Sequence, residues 1–240
     1  SADGIGSEAR FDYPVDVAVD KTGNLYVCDY FNFTIRKITP DGAVSTFAGM
    51  AGAGGSADGV GSAARFGMTG SGIGPAGIAI DSAGNVFVSD PVNNTIRRIS
   101  PDGVVSTWAG KVGEWGTSDG TGGEARFSDM RGLAIDSFDN LYVADAGAET
   151  IRKITPERIV TTIAGSSNNS GSTDGAGNSA RFSGPRGVAL DQSGSIYVAD
   201  TRNSTLRMIA SGGGVTTFAG SAGMSGYVEG AGAAVRFAFP

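Results

Sequence analysis

The chain has 240 residues, 40% of them hydrophobic, with a net charge of −6 and a pI near 4.7. It can therefore bury a core, but its acidic balance, with no block of basic residues, argues against nucleic acid, where cations must neutralise phosphates. No stretch approaches the ~18 consecutive apolar residues of a membrane helix; the lack of histidine removes Ser-His-Asp and Cys-His catalysis and histidine metal ligands, and the single cysteine removes an internal disulfide and a thiolate zinc cluster.

Residues 1–14 carry the tract Asp3-Gly4-Ile5-Gly6-Ser7-Glu8-Ala9-Arg10-Phe11. Ser1 stands in mid-motif without a basic n-region or apolar h-region, so either a leader was removed or this is a piece of a longer chain. Residues 15–49 then read as four short strands. The first ends at Asp20, the second at Asp29, the third holds Ile35-Arg36 and the fourth ends in Phe47-Ala48-Gly49. Asp-Gly, Gly-Asn and Pro-Asp turns separate β-branched and aromatic runs, and nothing shows helical period.

The same pattern returns over 76–110, 131–165 and 186–220. First strands end at Asp81, Asp136 and Asp191; second strands end at Asp90, Asp145 and Asp200. The tract recurs in the loops 50–75, 111–130 and 166–185, and in drifted form in 221–240. Its arginines fall at 10, 65, 126, 181 and 236, steps of 55, 61, 55 and 55 residues. A fixed period of this size marks repeated supersecondary blocks that bury their faces against one another. We read the chain as one all-β domain, a β-propeller of four-stranded antiparallel blades with four blades visible. It is a closed four-blade ring, an arc of a larger propeller, or an arc that another chain completes.

Pro75-Ala76-Gly77-Ile78-Ala79-Ile80-Asp81 through Val88-Ser89-Asp90, followed by Asn93-Asn94-Thr95-Ile96-Arg97, resembles the NHL-repeat β-propellers. The Asp-Gly-x-Gly-x-x-Ala-Arg-Phe loops resemble those joining blades in the long-repeat members. Departures are local: Asp16 stands where the pattern has glycine, Arg131 follows Met130 instead of proline, Glu149 replaces the Asn before Thr150, and Pro156-Glu157-Arg158 replaces Pro-Asp-Gly.

Repeated residues are expected to be structural. Asp3, Asp58, Asp119 and Asp174 are candidate calcium ligands, since calcium takes six to eight oxygens, but one copy per blade favours hydrogen bonds to their own turns. The second-strand aspartates are expected to meet the third-strand arginine of their own repeat. In the Arg-Phe pairs, Phe is expected to wedge between blades and Arg to pair with an acidic turn residue. Cys28, aligned with Ser89, Ala144 and Ala199, reads as a small buried hydrophobe. The loops are not phosphate cradles, because a strand and not a helix follows them.

Function should sit where the repeats differ. Asp16, Arg131 and Arg186 stand at the starts of their first strands and can form a polar mouth for an anionic or polar ligand. Tyr30-Phe31-Asn32-Phe33 fills a turn that reads Pro91-Val92-Asn93-Asn94 elsewhere; with Tyr13, and separately Trp115, it supplies aromatic contact anchors. The six-residue excess near 67–74 is glycine-rich and expected to be a mobile loop.

The expected function is a non-catalytic binding or scaffold module that presents loops to a protein, a glycan or other copies of itself, with no cofactor. The alternative is a calcium-dependent lactonase- or hydrolase-like propeller with a metal in its funnel. A surface rich in Gly, Ser, Thr, Asn and Ala suits a secreted, cell-surface or periplasmic protein.

Overall fold

The computed structural model describes residues 1–240. It contains four antiparallel sheets and no α-helix, only three-residue 3-10 turns. No helix is long and apolar enough to cross a membrane. The chain is all-β, and its sheets are propeller blades. They fall into two compact units, Ser1–Trp115 with Gly122–Arg126, and Gly116–Thr121 with Phe127–Pro240.

In the first unit, blade 1 is built from β1 (Gly4–Ile5), β2 (Pro14–Val19), β3 (Leu25–Asp29), β4 (Thr34–Ile38) and β5 (Ala43–Gly49). Blade 2 repeats it with β6 (Gly59–Val60), β7 (Ile78–Ile80), β8 (Val86–Asp90), β9 (Thr95–Ile99) and β10 (Val104–Gly110). In the second unit, blade 3 has β11 (Gly120–Thr121), β12 (Met130–Ile135), β13 (Leu141–Asp145), β14 (Thr150–Ile154) and β15 (Ile159–Gly165). Blade 4 has β16 (Gly175–Ala176), β17 (Pro185–Leu190), β18 (Ile196–Asp200), β19 (Thr205–Ile209) and β20 (Gly214–Gly220).

Each sheet therefore has five strands, one more than the sequence pattern suggests. The extra strand is the Gly-x pair of the Asp-Gly-x-Gly tract, which lies on the outer edge: Gly4 pairs with Val44 and Ile5 with Ala43, and the other blades follow suit. Two residues give almost no hydropathy signal. The edge of β5 nevertheless offers unpaired backbone groups, and the tract covers them.

The core of each unit lies between its two blades. Tyr26, Cys28 and Ile35 of blade 1 pack with Ile78, Val86 and Val88 of blade 2, with Phe66 from the joining tract between them. Tyr142, Ala144 and Ile151 pack likewise with Ile196, Val198 and Ile209, around Phe182. Cys28 is fully buried, and burial pushes its thiol up, as expected of a packing residue.

The pairing of third and fourth strands carries a bulge in every blade. Arg36 faces Thr46 and Ile35 faces Ala48, so Phe47 is the extra residue; Trp108, Ile163 and Phe218 hold the same place. A bulge turns its side chain out of the alternating register. Here it aims the ring at the second strand: Phe47 on Tyr26, Trp108 on Phe87 and Phe218 on Tyr197, with centroids 5.0, 5.6 and 5.2 Å apart, all edge-to-face. Blade 3 alone places an aliphatic residue, Ile163, at its bulge.

Candidate binding site

The repeated charges form one closed network per blade. In blade 2, Arg97 is fully buried and over the Phe66 ring, 5.2 Å from its centroid. Its guanidinium donates to Asp90 Oδ2 (3.3 Å), to Asp58 Oδ1 (2.6 Å) and to the carbonyls of Arg65 (2.8 Å) and Ala57 (3.1 Å). Arg36, Arg152 and Arg207 are bound in the same way to Asp29 and Asp3, to Asp145 and Asp119, and to Asp200 and Asp174. The second-strand aspartates thus meet their own arginines, as the sequence pattern suggests.

Asp3, Asp58, Asp119 and Asp174 do not bond only their own turns. Each reaches the buried arginine some 33 to 39 residues on, and accepts from Thr46, Thr107, Thr162 or Thr217 on the fourth strand. They are therefore spent one by one, each within its own blade. No group of three or more Cys, Asp or Glu side chains converges on a point, so the residues present do not fit a calcium centre.

The tract arginines also differ from the expectation. Arg65 donates to the carbonyls of Ser62 and Ala64 at 2.6 and 2.7 Å, and Arg181 to those of Asn178 and Ala180 at 2.6 and 2.8 Å. Arg10 and Arg236 clamp their own turns in the same way. Only Arg126 also meets an acid, Glu114, at 2.7 Å. The 3-10 turn leaves orphan carbonyls at its end, and the cation beside them satisfies those. Phe66, Phe127 and Phe182 are buried as expected, each beneath a third-strand arginine.

Blade 3 lacks one donor. Asn32, Asn93 and Asn203 give their side-chain amides to Asp29, Asp90 and Asp200 at 2.7 to 2.8 Å. The equivalent residue in blade 3 is Ala148, fully buried. The missing Asn is thus at 148; Glu149 takes the neighbouring left-handed position (φ 60) that Asn94 holds in blade 2 (φ 58). Burial lifts the carboxyl of Asp90 from 3.8 to about 6 and that of Asp145 to about 7, against the pull of their arginines.

These folded-state values lie above the unfolded one, so the folded chain binds more protons between pH 4 and 7. Stability is then greatest toward the acid side of that window and falls as pH rises through it. With no histidine present, carboxylates must supply this slope. The expected result is a thermal midpoint lower by roughly 5 °C at pH 8 than at pH 5, with the upper part of the slope flattened in Asp145→Asn. A midpoint that rises over the same range contradicts the assignment.

The residues expected at the polar mouth divide between the two units. Asp16 lies in the first unit and spans its two blades: Oδ2 accepts from the backbone N–H of Ile78 at 2.9 Å and Oδ1 from that of Val17, while burial raises its carboxyl. Arg131 and Arg186 lie in the second unit. Arg131 pairs with Asp129 at 2.6 Å, and Arg186 is exposed.

The aromatic residues converge. Tyr13 stacks on Phe31 with centroids 5.0 Å apart, and Tyr30 meets both edge-on at 6.1 and 5.3 Å. Tyr13 is 62% exposed and Phe31 42%, so both residues of the stacked pair are open to solvent. Phe33 is buried, and Trp115 is a separate exposed ring, following the Lys111–Glu114 bridge. Tyr13 holds a left-handed backbone (φ 58), a conformation that costs a side-chain-bearing residue about 1 kcal/mol. Gly184 and Asp129 stand at the same place in blades 4 and 3. Backbone preference does not select tyrosine there.

The glycine-rich excess joins this cluster as a short hairpin. Met68 bridges Ile73, Ser71 N–H donates to the Met68 carbonyl, and Gly54 N–H donates to Thr69 Oγ1 at 2.7 Å. Gly74 lies so close to Tyr30 that a Cβ would fall 1.9 Å from its carbonyl oxygen. The excess residues therefore buttress the Tyr30 turn. Sequence reading marked both features but had no means of joining them, because residues 30 and 74 meet only across the blade junction.

A repeat protein of β-propeller type, with structural Asp-Arg-Asp networks and one aromatic surface, is what fold and site define. Residues 11–38 and 182–207 match the family described as NHL repeat. Two of the chain's four blades thus carry segments that match the NHL repeat. The chain is 31% identical over 148 residues to "NHL repeat-containing protein 2" of Bos taurus, covering 56% of this chain and 20% of that protein. It is 33% identical over 97 residues to "Protein SUPPRESSOR OF QUENCHING 1, chloroplastic" of Arabidopsis thaliana, covering 40% of this chain and 9% of that one. The chain thus spans a fifth or less of these relatives. Among solved structures it resembles an auxiliary nutrient binding protein from Bacteroides ovatus, with a TM-score of 0.69, 17% identity, and 97% and 54% of the two chains covered. It also resembles virginiamycin B lyase from Staphylococcus aureus, with a TM-score of 0.57, 15% identity, and 85% and 55% covered. At such identities the likeness is one of fold.

Proposed function

We propose that this chain is a non-catalytic binding module whose contact surface is the Tyr13–Tyr30–Phe31 cluster, presented to a protein or glycan. The observation that carries this reading is the stacked pair of exposed rings, with Tyr13 held in a costly backbone conformation and Tyr30 braced by a glycine-rich hairpin. Rigid aromatic side chains bury much area at small entropic cost, and flat ring faces suit both apolar side chains and the C–H faces of sugars. The titratable side chains support the same reading, because the aspartates with the largest upward shifts are tied to structural arginines inside their blades. The buried positions of these groups suit packing and not proton transfer to a substrate.

The test uses the 240-residue chain on a glycan array and in pull-downs from extract. Tyr13→Ala and Phe31→Ala are each expected to weaken the retained ligand by about tenfold or more. Trp115→Ala, a ring outside the cluster, is expected to change binding less. Retention that survives both cluster substitutions removes this surface from the proposal.

A further inference from the structure

The bulge position of blade 3 opens a cleft that blade 1 closes. In the first unit, Phe47 fills the space between its blade and the turn after β9, so that a Cβ on Gly103 would lie 3.9 Å from the Phe47 ring. In the second unit, Ile163 replaces that ring, and a Cβ on Gly213, the counterpart of Gly103, would meet nothing within 4 Å. A cavity of about 390 Å³ results, bounded by Tyr142, Lys153 and Ile163 on one side and by Ile196, Ile209 and residues 210–213 on the other. Its size lies within the range of small-molecule sites.

A second set of differences gives the cleft its charge. The turn facing it reads Ala210-Ser211-Gly212-Gly213, whereas its counterparts read Thr39-Pro40-Asp41-Gly42, Ser100-Pro101-Asp102-Gly103 and Thr155-Pro156-Glu157-Arg158. Gly212 thus removes the acid that the other three turns carry. On the opposite wall, Lys153 lies over the Tyr142 ring, 5.9 Å from its centroid, and forms no ion pair. The cleft therefore has an aromatic wall without an edge-to-face ring partner, an ammonium that lies over that ring but in no ion pair, and no carboxylate on the facing turn; the carboxylate beside the wall, Asp136, accepts from the Tyr142 hydroxyl at 3.1 Å.

We propose that this cleft is a binding site for a small aromatic carboxylate. The ring of the ligand takes the place that Phe47, Trp108 and Phe218 fill in the other blades, edge-to-face on Tyr142, and its carboxylate meets Lys153. Both contacts are ones the fold already uses, so the ligand completes a packing unit that blade 3 leaves open. The site stands in the second unit, apart from the aromatic cluster of blade 1, and does not depend on that reading.

The test is calorimetric titration of the 240-residue chain with phenylacetate, with 2-phenylethanol as the uncharged comparator. Phenylacetate is expected to bind with a Kd on the order of 0.1–1 mM, and 2-phenylethanol about tenfold more weakly. Ile163→Phe is expected to abolish binding of both while leaving the thermal midpoint unchanged or raised, since it restores the ring pair. Lys153→Met, at a half-buried position, is expected to reduce phenylacetate to the level of the alcohol without changing the alcohol itself. The proposal is overturned if the wild-type chain gives no heat with phenylacetate at 10-fold above ~1 mM. Equal binding of acid and alcohol, or undiminished binding by Ile163→Phe, overturns it as well. Should Ile163→Phe fail to fold, the Lys153→Met comparison decides alone.

Discussion

Replacing Arg97 with leucine is expected to destabilise the chain by about 3–5 kcal/mol, the cost of breaking a buried ion pair from one side. Arg97 is fully buried, and so is its partner Asp90. Removing the guanidinium leaves that carboxylate without its counter-charge and strips donors from the carbonyls of Arg65 and Ala57. It also removes the cation from the Phe66 ring. Leucine replaces some apolar contact but none of the hydrogen bonds. The urea midpoint of Arg97→Leu reports the loss directly. Adding Asp90→Asn is expected to recover part of it, because a neutral amide costs less to bury than an unpaired charge. A loss below about 1 kcal/mol would show that the network adds no more than an exposed ion pair does. Arg36, Arg152 and Arg207 should behave alike.

Gly49→Ala is the second large effect. Gly49 ends β5 at φ 91, and a Cβ there would lie 2.5 Å from the Phe33 carbonyl oxygen and 3.1 Å from both Thr34 Cα and the Phe66 ring. Two of those neighbours are backbone atoms, which cannot step aside. Left-handed strain of about 1–2 kcal/mol adds to an overlap of about 1–3 kcal/mol, so a total loss of about 2–5 kcal/mol is expected. Gly52 supplies the control. Its φ is 76 and a Cβ there meets nothing within 4 Å, so Gly52→Ala should show the backbone cost alone. Equal urea midpoints for the two variants would mean that the tract carrying Phe66 does not pack tightly on β5.

Much of the fold was legible because each blade is written out afresh. Turn residues at fixed places and alternating runs between them identified four strands per unit, and the period identified blades. The fifth strand escaped, since two residues such as Gly4 and Ile5 show no alternation; only the open edge of β5 recruits them. The buried arginines were visible as repeated Ile-Arg pairs, but their partners were not all visible. Asp58 and Arg97 are 39 residues apart, and only antiparallel return of the chain brings them together. The calcium reading of the four tract aspartates foundered on this same geometry.

The site followed a similar division. Composition and repeat comparison singled out Tyr13, Tyr30 and Phe31 as residues that break the pattern, and the excess near 67–74 as another break. Their convergence depended on a blade junction that no local signal encodes. Arg131 and Arg186 share a repeat position and Asp16 stands one residue further along its strand, and each answers to its own neighbours: Ile78 N–H for Asp16, Asp129 for Arg131, solvent for Arg186.

Local chemistry repeated along the chain determined the strand and turn order, the blade type and the list of residues that depart from it, since backbone preference and hydropathy act over a few neighbours. Packing decided which departures matter. Ile163 and Gly212 are 49 positions apart and unremarkable singly, yet they face one cleft, because side-chain contact is a property of folded space and not of chain order.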